Sequence, residues 1–391
     1  ALPAGSCRMK YRLTCLSPLL VGDGHRLSPI DYMVWKDQVN VLDQRRIFKL
    51  LAKGPRLEGY LAQLKKAEKL DFASWGGFAQ NFADRRLPFE HPSAAKYWEA
   101  SHGDTLHIPT FAGGHNGPYL PGSAIKGALR TGMLFERWRS GARPGFDRLQ
   151  GDRLPRRPGE EAEQAALGSS QTSFMKAVAV ADSAPVELSS FKLYLLRVST
   201  LQPRRNGEGF DLGWKQAPRG AVSGARPEDS TPIFAEMAAP GTIFEGNWRE
   251  NAFFAQPEIV RALRWREPVT GARLLAAANS YAERLLAIQK KYAETAGLSV
   301  LSENLARIDA QLAGARARGN ACILALGWAS GMLAKSGWLE TDDQAYRSVL
   351  RQIPLYARAI QSGLPFPKTR RIVFRENRPA ELPGWAVLEI G

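Results

Sequence analysis

The sequence is short of the residues that build metal centres and disulfide frameworks. Its three cysteines, at positions 7, 15 and 322, form no CxxC pair and no spacing with histidine that would hold zinc. The five histidines, at 25, 91, 102, 107 and 115, are scattered. No metal and no cofactor is expected from this inventory. No apolar run approaches the roughly eighteen residues of a membrane span, and the opening ALPAGSC has neither a basic nor an apolar signal-peptide region. The expectation is a cytoplasmic protein without a membrane partner. GxSxG, HExxH and a Cys–His pairing are also missing, so the common hydrolase motifs offer no small-molecule chemistry.

Acidic residues are the other shortage. There are 38 Asp and Glu against 53 Lys and Arg, a formal net charge of +15. Such a surplus repels itself unless a polyanion or an acidic neighbour meets it. The 391 residues, 44% of them hydrophobic, are enough for two domains with real cores.

Strand-like stretches are KYRLTCLS (10–17), the hairpin DYMVW and VNVLD, FMKAVAVADSAP, FKLYLLRVST, GTIFEGNWRE, RRIVF and WAVLEI. Helical patterning runs over about 44–98, over 124–138 and over 255–315. Residues 99–122 read as loop and 140–168 as a polar, mobile stretch. Residues 203–232, rich in Gly, Pro and Arg, read as a flexible basic arm too polar for a core. Strands and helices mix without βαβ alternation, which predicts an α+β fold in two halves.

The sharpest local signal is GPYLPGSAIKGALRTGML, residues 117–134. It reads as a Gly/Pro turn entering a helix with Ser123 as N-cap and Ile125, Ala128, Leu129 and Met133 on one apolar face. A capping box would place Glu or Gln three residues after Ser123, but Lys126 stands there and Arg130 follows one turn later. Stacked like charges at the positive end of a helix dipole cost a few tenths of a kcal/mol. They predict an outside anion, and a glycine-lined helix start is a ready phosphate site. Solvated cations beside a structural turn are the alternative. The loop is not a Walker A motif, because Gly127 follows Lys126; GWASGMLAKSG (327–337) fails the same test at Ala334.

A third glycine loop, GDGH at 22–25, is followed by Arg26, so His25 and Arg26 suit a phosphate or ribose. Arg204, Arg205, Lys215, Arg219 and Arg226 beside Phe210 and Trp214 interleave cations with aromatics, as single-strand binders do. PKTRRIVFRENR adds Lys368, Arg370, Arg371, Arg375 and Arg378. A solvated basic face explains either run equally. For catalysis, only Asp31 in LSPIDYMVW and His115 in GGHNG stand near glycine loops, and neither has a partner legible in the sequence.

YRLTCLSPLLVGDGHRLSPIDYMV, YLPGSAIKGALRTGML, LALGWASGMLAKS and LPFPKTRRIVF…GWAVLEI together resemble the RAMP superfamily of CRISPR proteins. Their order is most similar to the family of fifth Csm subunits of type III-A interference complexes, over residues 10–390. PGSxIKGALR is shared widely in the superfamily; GWxSGxxxKS with FPKTRR is the more specific pattern. The resemblance implies two RRM- or ferredoxin-like modules with helical insertions. These are an N-terminal module over 8–185, its insertion at about 44–98, and a C-terminal module over 186–391. It implies a non-catalytic subunit that caps the crRNA 3′ end, with crRNA, target RNA and neighbouring backbone and small Csm subunits as partners. Gly22, Gly24, Gly122, Ser123, Lys126 and Arg130 match RNA-facing loop positions; Gly327, Gly331, Lys335 and Ser336 match the second glycine loop. The related backbone subunit that cuts target RNA carries an Asp near the place of Asp31, but SPIDY is the cap's pattern. An endonuclease using Asp31 or His115, and a protein–protein adaptor, remain as alternatives.

Overall fold

The computed structural model describes residues 8–35, 37–52, 56–66, 69–70, 81–141, 143–149, 156–157, 159–204, 207–216, 224–361 and 363–391. The fold is α+β, as expected, and rests on two antiparallel sheets.

The chain starts with β1 (Arg8–Cys15), in which Tyr11, Leu13 and Cys15 alternate inward. After a loop come β2 (Arg26–Leu27) and the expected hairpin, β3 (Tyr32–Trp35) and β4 (Gln38–Leu42). The helical insertion is only partly helical. α1 (Gln44–Leu51), capped by Asp43, and α2 (Arg56–Lys66) are separated from α3 (Ala94–Glu99) by β5 (Ala83–Pro88), which pairs with β4. The polar ADRRLP hides that strand, because only Leu87 faces the core and Arg85 faces inward to meet Glu236. Residues 71–80 of the expected insertion lie outside the described residues.

Three two-residue strands, β6 (Ile108–Pro109), β7 (Gly113–Gly114) and β8 (Gly117–Pro118), punctuate the next loop. α4 (Gly122–Ser140) follows. The stretch expected to be mobile holds α5 (Glu160–Leu167), whose first turn carries Glu160, Glu161 and Glu163 at the positive end of the dipole.

The rest comprises β9 (Val178–Ser183), β10 (Phe191–Pro203), β11 (Phe210–Trp214), β12 (Ile233–Ala238) and β13 (Ile243–Glu250). Then come α6 (Pro257–Ala262), α7 (Gly271–Thr295), α8 (Ser299–Arg318), β14 (Ala321–Ala325), α9 (Gln344–Arg351), α10 (Pro354–Gln361), β15 (Thr369–Arg375), β16 (Arg378–Glu381) and β17 (Trp385–Ile390). The arm expected to be too polar for a core thus supplies a strand, β11. It survives because β10 offers an edge at Ser199–Pro203, beyond the residues paired with β12, with Leu201 opposite Leu212 and Ser199 opposite Trp214.

The first sheet runs β14-β17-β1-β13-β9, with Leu13 between Phe244 and Leu388. The second runs β11-β10-β15-β16, with β12 also paired to β10. Residue 185 lies between β9 and β10, yet β13, β14 and β17 return to the sheet that holds β1. Strands from both sides of that position therefore share it. Helices α4 and α7 pack on one another where Gly132 allows the Ala278 backbone within 2.8 Å of where a Cβ would stand. Asn279 of α7 joins them to the first sheet, donating to Ala321 O at 2.9 Å and accepting from Ile323 N at 3.0 Å. No helix among the described residues is long and apolar enough to cross a membrane.

Candidate nucleic-acid interface

The start of α4 answers its charge pattern inside the chain. Pro121, not Ser123, is the N-cap, and Ser123 is exposed. Gly122 N donates to Asp182 Oδ1 at 2.8 Å, so a carboxylate from β9 already sits on the helix's positive end. Gly122 is required there, because a Cβ would overlap the carbonyls of Val180 and Ala181. Lys126 Nζ donates to Val178 O at 2.8 Å, and burial lowers its pKa. Arg130 pairs with Glu163 of α5 at 2.7 Å. The anion that the helix pattern predicted is, in the folded chain, protein. Asp182 and Glu163 were not legible as partners, since pairing across 60 and 33 residues leaves no local signature.

The two other glycine loops meet. Trp328 N donates to Leu20 O at 2.6 Å, and Gly327, at φ +85°, presses on the Leu20 carbonyl where a Cβ has no room. Gly384 N donates to Pro18 O at 2.9 Å and Leu326 N to Gly384 O at 2.9 Å, which locks the same junction from below. On the other side, Ala112 N donates to Val21 O at 2.9 Å and Tyr119 N to Ala112 O at 3.1 Å. The loop 18–24 is thus the middle member of a row running from the turn before α4 to the loop after β14. Gly22 and Gly24 are exposed on it, Gly24 at φ +97°. His25 Nδ1 lies 3.1 Å from Thr110 Oγ1, and Arg26 is exposed at the start of β2.

The second loop also faces β15. Arg371 reaches over the Trp328 ring, its Cζ 5.5 Å from the centroid. Gly331 and Lys335 are exposed; Ser336 Oγ closes a local turn with Trp338 O at 2.9 Å. Lys368 is half-buried, and its pKa is lowered by burial and then by Lys215 and Arg358. Behind the loop lies a cavity of about 290 Å³ whose lining includes Lys215, Arg370 and Arg371. Arg26, Lys215, Lys335, Lys368, Arg370 and Arg371 form no salt bridge among the described residues, in contrast to Arg130. Unpaired cations along exposed glycines, where a strand's phosphates can approach the backbone, suit sequence-independent binding.

The arm is different. Arg204 pairs with Asp211 at 3.1 Å, and Arg205 lies outside the described residues. Trp214 is 1% exposed, edge-on to Phe374 with centroids 5.5 Å apart. The expectation that it offers a stacking face to a base is corrected by this burial: β11 pairing turns the ring into the core.

Among the described residues neither candidate for catalysis is hydrogen-bonded or ion-paired to a second acid or base. Asp31 Oδ2 accepts from Ser28 N at 2.7 Å and Ser28 Oγ at 2.6 Å, closing the turn before β3. His115 is exposed at the tip of the β7–β8 hairpin. Among the described residues no group of three His, Cys, Asp or Glu could hold a metal ion.

A model of the RAMP superfamily matches residues 12–273. The chain belongs to the RAMP superfamily. This RAMP protein is 24% identical over 141 residues to CRISPR system Cms protein Csm5 of Methanocaldococcus jannaschii, a match covering 32% of the chain and 30% of that relative. The chain therefore spans less than a third of the length of the curated relative it matches. Its fold is similar to a chain in the cryo-EM structure of a Csm–crRNA–target RNA ternary complex of a type III-A CRISPR–Cas system. There the TM-score is 0.69 at 20% identity, over 97% of this RAMP protein and 100% of that chain. It is also similar to the crystal structure of T. onnurineus Csm5, with TM-score 0.58 at 18% identity, over 96% and 99% of the two chains.

Proposed function

We propose that this RAMP protein is a crRNA-binding subunit of a type III-A Csm effector complex. It caps the 3′ end of the guide beside the last backbone subunits and does not itself cut RNA. One observation carries the reading. The Gly22–Gly24 loop and the Gly327–Gly331 loop, far apart in sequence, are pinned together at Leu20 and Trp328, and cations unpaired among the described residues flank both. A face of backbone N–H groups and cations grips sugar–phosphate without reading bases, which suits a guide of changing sequence. Similarity to a chain of the crRNA-bearing complex and to Csm5 supports the assignment to that complex.

The non-cutting reading is supported by the hydrogen bonds that occupy Asp31 Oδ2 at Ser28. The test is incubation of the purified chain, alone and within a reconstituted complex, with labelled crRNA and target RNA. We expect salt-sensitive binding of single-stranded RNA and no cleavage that disappears on Asp31→Ala or His115→Ala. Site-specific cleavage lost with either substitution would replace this reading by the endonuclease. Absence of RNA affinity in the chain and in the complex's 3′ end would replace it by the adaptor.

A further inference from the structure

The cavity behind the second glycine loop has a divided lining. Val198, Ile233 and Leu382 make an apolar wall, while Lys215, Arg370 and Arg371 bring three cations; among the described residues no Asp or Glu lines it. Arg370 is 8% exposed, and among the described residues none of its partners is a carboxylate. Its Nε donates to Gln289 Oε1 at 2.5 Å and its Nη1 to the carbonyls of Pro367 at 2.7 Å and Thr369 at 3.0 Å. The Tyr292 ring lies 4.4 Å from its Cζ. Burying a guanidinium among neutral dipoles alone is expensive, and the expense is offset when an anion arrives. Arg130 and Arg85, equally cationic, have Glu163 and Glu236; Arg370 has a cavity.

We infer that this cavity binds a single nucleotide through a terminal phosphomonoester. The volume of about 290 Å³ lies at the lower bound of ligand pockets, about 300 Å³, and so fits one nucleotide rather than a running strand. Three cations without a lining acid exceed the single charge of a phosphodiester, whereas a monoester carries about −1.5 to −2 at neutral pH. The apolar wall suits a sugar or base, and Tyr356, which also lines the cavity, is a ring of the kind on which bases stack. The nucleotide is either the end of an RNA strand or a free nucleotide. The first source rests on the RNA-binding reading above; the cavity itself does not.

The test uses the full chain and one single-stranded RNA made with a 3′-phosphate, with a 5′-phosphate, or with hydroxyls at both ends. Anisotropy measures binding of the RNAs, and thermal unfolding measures binding of AMP and inorganic phosphate. We expect one phosphorylated end to bind at least about tenfold more tightly than the hydroxyl RNA, since charge-assisted hydrogen bonds are the strong ones. The preference fades below about pH 6, where the monoester dianion takes up one proton and becomes a monoanion. Arg370→Gln removes it; where that variant folds poorly, Lys215→Ala with Arg371→Ala, nearer solvent, makes the same test. If the three RNAs bind alike but AMP raises the unfolding temperature in an Arg371-dependent way, the source is the free nucleotide and the cavity assignment stands. If the RNAs bind alike and AMP does nothing, the cavity assignment is overturned while RNA binding survives. If neither RNA nor AMP binds, both readings fall.

Discussion

Gly327 lies against the carbonyl of Leu20 so closely that no side chain fits between them, and the next residue, Trp328, hydrogen-bonds that carbonyl at 2.6 Å. One backbone contact thus joins the loop that follows β1 to the loop that follows β14. Its geometry needs glycine twice over, for the space and for a φ of +85°.

Gly327→Ala should therefore cost about 2 kcal/mol or more, the sum of a strained backbone and an overlap with a main-chain atom that cannot swing away. Gly24→Ala, also at positive φ (+97°) but with nothing within 4 Å of its Cβ, should cost only about 1 kcal/mol. Urea titrations of the two variants make the comparison. Equal losses would mean that the loop junction is not what the glycine serves.

The same junction sorts the cations. Lys335→Ala with Arg371→Ala should weaken single-stranded RNA binding and reduce the salt slope by up to about 1.4, two contacts at roughly 0.7 each. Lys126→Ala with Arg130→Ala should change that slope little, because these side chains are held by Val178 O and Glu163. It should instead lower stability by about 1 kcal/mol through the lost hydrogen bond and half-exposed ion pair. Anisotropy at several salt concentrations decides. A larger slope change from the α4 pair would return the interface to the helix start.

Much of this fold was legible because burial and periodicity coincide in its regular elements. β1 alternates, the hairpin β3–β4 is bounded by turn residues, and α7 and α8 carry unbroken apolar faces on either side of Gly297. β5 was illegible because Arg85 replaces an apolar inward residue and finds Glu236 151 residues away. β11 was illegible because its neighbours are Gly and Arg, and its pairing is decided by the free edge of β10. The glycine loops could be read as sites, but not which cations would face them. Lys126 and Arg130 stood out as misplaced only while Asp182 and Glu163 were out of view. Arg370 and Lys215 were legible as charge, whereas the cavity joining them to Gly331 is made by packing.

Arg85 and Glu236 tie the insertion sheet to the second sheet by a two-pronged ion pair, Nη2 to Oε2 at 2.8 Å, with the Glu236 side chain 1% exposed. Arg85→Ala should destabilise the chain by about 3–5 kcal/mol, because a buried carboxylate is left without its counter-charge. Replacing both with Leu should recover most of that loss. Chemical denaturation of the single and double variants measures it. A double variant as unstable as the single one would assign the loss to packing rather than to the stranded charge.

Glu381 supplies the prediction with pH as its lever. Its Oε2 is buried without a hydrogen bond among the described residues, and Arg375 approaches Oε1 only to 3.7 Å while holding Glu90 at 2.7 Å. Burial raises its pKa above the usual glutamate value, with Arg375 pulling the other way. The folded chain thus holds this proton more tightly than the unfolded one. The resulting stability is fully present below the ordinary glutamate value and is lost as pH rises through the raised one. Glu381→Gln keeps the shape and removes the charge. It should stabilise the chain at pH 7 by about 1 kcal/mol, the order of the penalty for an unsatisfied buried group. At pH 4 the two proteins should be nearly equal, and between these limits the wild-type stability should fall faster with pH than that of the variant. Unfolding midpoints measured across this range test the sign directly, and a variant less stable than wild type at pH 7 would show that the Arg375 pairing outweighs burial at this site.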